Sequence, residues 1–79
     1  MYIDDLFPLI EKEELLRRIG KRFDMLMKNK GYTSTNKFAD AYKFSRSRIF
    51  ELRKGTLNVT IWTLFKICEG LDISLDEFF

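Results

Sequence analysis

The sequence predicts an all-α fold, a compact bundle of five helices. Three observations carry that expectation. Apolar residues recur at spacings of three, four and seven, the period of one helical face. The alternation of β-branched and polar residues that marks a strand is nearly absent. Candidate caps and glycines fall at the ends of the periodic segments, with connections of only a few residues. At 79 residues the chain has room for one domain with a small core.

The first helix is expected over residues 11–30, where Leu15, Leu16, Ile19, Phe23, Leu26 and Met27 form one stripe and Gly31 supplies the stop. Pro8 either opens this helix at its first turn or sets off a short arm. The domain reading takes residues 1–10 as an apolar and acidic N-terminal arm and 11–79 as the folded domain. Thr33, Ser34 and Thr35 are three candidate N-caps ahead of a short second helix through Tyr42, with Phe38, Ala39 and Tyr42 on its apolar face. Ser45 caps a third helix through Lys54, with Ile49 and Leu52 facing inward and Gly55 ending it. Asn58 or Thr60 caps a fourth helix carrying Ile61, Leu64, Phe65, Ile67 and Cys68, and Gly70 weakens its last turn. Ser74 caps a final turn, where Asp76 and Glu77 suit the helix dipole.

Composition excludes several functions. The chain has no histidine, so a His-ligated metal, a Ser-His-Asp triad and an imidazole base are ruled out. Cys68 is the one cysteine and has no internal disulfide partner. No enzyme activity, cofactor, metal or small-molecule ligand is expected. A lone thiol fits a reducing cytoplasm, the acidic start does not read as an export signal, and no apolar run approaches the ~20 residues of a membrane span. The expected location is therefore the cytoplasm, away from membranes.

The net charge of +2 conceals a division along the chain. Of the 14 Lys and Arg residues, all but Lys12 and Lys66 lie between positions 17 and 54, where the only acids are Asp24, Asp40 and Glu51. Both ends are acidic. A basic middle between acidic ends is the pattern of a protein that presents one face to a polyanion.

Two short helices with a tight connection lie inside that basic segment, at about residues 35–54. Ala39 lets the second of the pair cross close over the first, and Phe44 plugs the turn. This is the sequence form of a helix-turn-helix, whose second helix enters the major groove of double-stranded DNA. Its outward residues are Arg46, Ser47, Phe50, Arg53 and Lys54, with Arg48 and Glu51 on the flanks. Arginine forks onto guanine O6 and N7, and a short Ser side chain bonds almost any base edge.

The stretch STNKFADAYKFSRSRIFELRKG at 34–55 resembles the helix-turn-helix of the lambda-repressor, Cro and XRE family. The resemblance continues without a gap through TLNVTIWTLFKICEGLDISLDEFF at 56–79, and IGKRF at 19–23 is similar to the start of the family's first helix. It implies a five-helix, lambda-repressor-like domain and a sequence-specific transcriptional regulator, usually a dimeric repressor. It also implies that Thr35 stands where the family has a Gln that supports the DNA backbone. Lys43 stands where the family has a turn glycine, so a lysine there must adopt a left-handed or bridging backbone. Many members join the first and third helices by an Arg–Glu pair; the matching positions read as Met27 and Arg53, which leaves Arg53 for phosphate. The expected DNA-contacting set is Thr35, Lys43, Ser45, Arg46, Ser47, Arg48, Phe50, Glu51, Arg53, Lys54 and Asn58.

Plainer roles compete for several of these residues. Arg46 and Arg48 could simply solubilise a surface helix, and Ser45 is a cap first. Phe50 could touch a thymine methyl or pack on a neighbouring helix or subunit. Asn58 opens a formal Asn-Val-Thr glycosylation acceptor, which carries little weight in a cytoplasmic chain beside a backbone or phosphate hydrogen bond. Trp62 and Cys68 read as packing residues. The large apolar side chains of the arm, with Phe78 and Phe79, are expected to meet a second copy of the chain, giving a homodimer; the competing reading folds the arm back onto its own helices. The alternative function is a protein-interaction module on the same scaffold, with DNA binding secondary.

Overall fold

The computed structural model describes residues 1–79 and is all-helical. A short 3-10 turn, Ile3–Leu6, precedes α1 (Lys12–Asn29), α2 (Thr35–Tyr42), α3 (Arg46–Lys54), α4 (Ile61–Leu71) and α5 (Leu75–Phe78). Local chemistry sets the boundaries. The hydroxyls of Ser34, Ser45, Thr60 and Ser74 each accept a hydrogen bond from the backbone N–H three residues on, which satisfies an orphan donor of the first turn. Gly55, at φ 80°, ends α3 in the left-handed region, and a Cβ there would stand 2.9 Å from the Cα of Arg17.

The long helix α1 buries Leu15, Leu16, Ile19, Phe23 and Met27 against α2 and α3. At the crossing of α1 and α3 the side chain of α1 is only a hydrogen: a Cβ on Gly20 would lie 2.5 Å from the carbonyl oxygen of Arg53 and 2.7 Å from that of Leu52. Phe38 sits at the centre of an aromatic cluster, edge-on to Phe23 at 5.1 Å between ring centroids and stacked with Phe44 at 6.1 Å. Phe44 thus fills the turn as expected. Ala39 is fully buried beneath the α2–α3 crossing. Leu64, Ile67, Cys68 and Leu71 close the core from α4, and Phe78 from α5. Arg22 of α1 donates to the carbonyls of Phe78 (3.0 Å) and Glu77 (2.8 Å), so it satisfies the open end of α5.

Three details differ from the expectation. Residues 1–10 do not stand off as an arm. Ile3 is fully buried, its N–H donates to the Val59 carbonyl at 2.8 Å, and the Ile61 N–H donates to the Met1 carbonyl at 2.8 Å. Phe7 packs against Phe79 at 5.2 Å, and only Leu9 projects wholly into solvent. Pro8 lies in the turn between this segment and α1 and does not open the helix. Second, Trp62 does not pack inside; it is 63% exposed on α4. Third, Gly70 is a packing residue: a Cβ there would press on the ring of Tyr42 at 3.1 Å. Cys68 does pack. It is buried, and burial pushes its thiol up to about 11, so it stays protonated at neutral pH. No helix is long and apolar enough to cross a membrane.

Candidate nucleic-acid interface

The surface of α3 follows from its burial pattern. Ile49 and Leu52 lock its inner side to the core, so Arg46, Ser47, Phe50, Glu51 and Lys54 share the opposite, exposed side. The sequence placed Arg46, Ser47, Phe50 and Lys54 on this face; it also put Arg53 there and Glu51 on the flank, whereas Arg53 turns toward Asp24 of α1 and Glu51 is exposed. Ser45 caps the helix by accepting from the Arg48 N–H at 3.4 Å, and its hydroxyl lies 3.2 Å from that of Ser47. Phe50 is half exposed and carries the Lys54 ammonium over its ring at 5.2 Å, so the two form one apolar and cationic unit at the far end of the helix.

Lys43 is in the left-handed conformation, φ 59° and ψ 39°, as the resemblance implied. A side chain in that conformation costs about 1 kcal/mol. Its position explains why the residue is useful there: Lys43 lines a cleft of about 320 Å³ between α3 and α4, together with Ser45, Arg48, Trp62 and Lys66 and an apolar floor, and no carboxylate lines it. Lys43→Gly is expected to raise stability by about 0.5 kcal/mol, after the added freedom of glycine in the unfolded chain is subtracted, and so raise Tm by a few degrees. The same change should weaken DNA binding by removing a cation from the rim. Thermal melts and a titration with DNA check both signs; a lower Tm would contradict the strain.

Two arginines of α3 are already engaged. Arg46 forks onto Asp40 of α2, with Nε 2.8 Å from Oδ1 and Nη2 2.5 Å from Oδ2, and both side chains are more than half exposed. The hydrogen bond from Arg46 holds the Asp40 carboxyl below the usual carboxylate range, and the same bond raises Arg46. Arg53 is paired rather than free as expected. Its Nε lies 2.7 Å from Oδ1 of Asp24 on α1, and Lys28 reaches Oδ2 of the same carboxylate at 3.0 Å. The link between α1 and the end of α3 thus exists with its charges reversed, and its acid stands three positions before Met27.

Of two further expected residues, one is buried and the other is half-buried and tied to the N-terminal turn. Thr35 is buried at the first position of α2. Asn58 donates to Asp4 at 3.0 Å, which ties the N-terminal turn to the loop before α4, and its amide oxygen is buried without a partner. The structure therefore brings Lys43, Ser45, Arg46, Ser47, Arg48, Phe50, Glu51 and Lys54 together along α3 and its cap, places Asn58 across a cleft shared with Arg48 and Glu51, and sets Thr35 and Arg53 apart. Sequence reasoning missed Lys66, whose ammonium sits over the Trp62 ring at 4.7 Å and near Glu69 at 3.3 Å. It also missed Asp40, although an acid in a basic stretch, one turn from the next cap, was a visible signal.

Comparison with known proteins agrees with this geometry. Residues 22–79 match the Cro/C1-type HTH DNA-binding domain. The chain is similar to the restriction-modification controller protein C.AhdI from Aeromonas hydrophila, with 29% identity and a TM-score of 0.76 over 84% of this chain and 98% of that one. It is similar to a mutant of the restriction-modification controller protein C.Esp1396I, with 26% identity and a TM-score of 0.72 over 81% of this chain and 80% of that one. It also shares its fold with the clp gene regulator ClgR from C. glutamicum, at 23% identity and a TM-score of 0.73 over 81% of each chain. No curated protein matches.

Proposed function

The chain belongs to the Cro/C1-type helix-turn-helix DNA-binding domains and is a DNA-binding regulator of transcription; from that premise we propose that it works as a homodimeric repressor on a palindromic operator, reading each half-site with α3. The observation that carries the reading is the exposed side of α3, where Arg46, Ser47 and Glu51 supply groove-reading chemistry on a helix held rigidly from behind. Lys43, Arg48 and Lys54, none of them in an ion pair, stand around it for phosphate. We read it as a cytoplasmic binding protein that is not an enzyme.

A lone helix of this size reads only a few base pairs, so a useful operator needs two copies. The residues that were expected to associate are partly spent on the core, as Ile3 and Phe7 show. The apolar surface that remains on α4 is the stacked pair Trp62 and Phe65, with ring centroids 5.9 Å apart. That pair supports a two-fold contact between copies. It equally keeps open a module that binds a different protein.

Selection of bound sequences from a random DNA library separates the two. The expected product is an inverted repeat whose half-site centres lie about 34 Å apart. No enriched sequence would favour the interaction module, and a single unpaired half-site would remove the dimer.

A further inference from the structure

We propose that Asp40 is a specificity-determining residue, which holds one edge of the Arg46 guanidinium so that the other edge is presented to guanine. The proposal rests on the reading that α3 enters the major groove. Its own support is the geometry of the fork. A guanidinium has five N–H donors in a fixed plane. Asp40 takes the Nε donor at 2.8 Å and one Nη2 donor at 2.5 Å. The second Nη2 donor and both Nη1 donors remain. The remaining Nη2 donor and one of the Nη1 pair form the end edge of the group, two parallel donors that match O6 and N7 of guanine. Adenine offers an acceptor and a donor at the same place, so the held arginine meets one mismatch there.

Holding the side chain also alters the comparison between right and wrong DNA. An unheld arginine has many rotamers and can reach phosphate or a neighbouring base, which binds DNA without choosing. The fork orders it before DNA arrives. Paired in this way, the Asp40 carboxylate also cancels the charge that Arg46 would otherwise offer to the phosphate backbone. Asp40 thus lowers affinity for DNA in general while it sharpens the choice at one base pair. A structural role explains less. The pair is exposed, and α2 and α3 are already joined by Phe38, Ala39, Phe44 and Ile49 in the core.

The test uses the full chain and the sequence selected by the parent protein, together with duplexes in which each guanine of the half-site is changed to adenine. The parent is expected to prefer guanine at one position by roughly 10- to 100-fold. Asp40→Ala should keep its fold by circular dichroism, reduce that preference to a few-fold, and bind unrelated DNA more tightly. Arg46→Ala should lose the same preference, and the double variant should discriminate no differently from Arg46→Ala. An Asp40→Ala protein that keeps the parent's preference overturns the proposal and leaves the groove reading intact. A preference that appears only in Asp40→Ala also overturns it, because Asp40 then sequesters the arginine. A parent that binds no DNA overturns the groove reading itself, and the proposal with it.

Discussion

Gly20→Val is expected to leave most of the chain unfolded at 25 °C. The position faces the carbonyls of Leu52 and Arg53 across the α1–α3 crossing, and even one added carbon would come within 2.5 Å of backbone oxygen. Backbone cannot rotate aside as a side chain can, so the two helices must separate. Overpacking of this kind costs about 1–3 kcal/mol for a single methylene group and more for a branched side chain. A domain of this length holds only about 4–12 kcal/mol in all. Gly20→Ala is the milder version. Alanine gains about 1 kcal/mol in helix propensity, which offsets part of the clash. The clash should still win, with a net loss near 1–2 kcal/mol and a Tm lower by roughly 5–15 °C. Thermal melts followed by circular dichroism decide it: a Gly20→Ala protein with a higher Tm would show that α1 and α3 do not approach so closely. DNA binding should fall with stability, since this contact fixes the far end of α3.

Affinity for DNA is expected to fall steeply with salt, by an amount that counts the cations not already paired. With Lys43, Arg48 and Lys54 each neutralising a phosphate, the slope of log K against log salt is about −2.7 for one half-site and about −5.4 for two. Raising salt from 50 to 200 mM then weakens a dimer's binding by roughly two thousand-fold. If Arg46 and Arg53 also left their carboxylates for phosphate, the slope would approach about −9. The measured slope therefore separates the paired arginines from the unpaired cations. A flat dependence would remove the DNA reading in favour of the interaction module.

Much of the fold was legible because its signals are local. A serine that caps a helix acts on an N–H three residues away, and a left-handed stop is a property of one residue. Ser45, Ser74, Gly31 and Gly55 could therefore be read directly, and so could the apolar stripe of α1, whereas Ser34 was one of three adjacent cap candidates. Most of the exposed side of α3 was legible for the same reason, since helical period places Arg46, Ser47, Phe50 and Lys54 together once Ile49 and Leu52 face inward; Arg53, expected beside them, turns toward α1, and Glu51, expected on the flank, takes its place. Charge counting, by contrast, treated every arginine of the basic segment alike.

By itself, then, the sequence determined five helices, their order, the helix-turn-helix within the basic middle, and most of the exposed side of α3. All of these depend on the chemistry of residues within a turn or two of one another. Only the tertiary structure decided that Arg53 is held by Asp24, that Asp40 claims one edge of Arg46, that Ile3 enters the core and that Trp62 stays outside it. Each depends on how one element lies against another. An ion pair forms wherever two side chains arrive within about 4 Å, and burial is decided by which surfaces meet, so neither is carried by the spacing of residues along the chain.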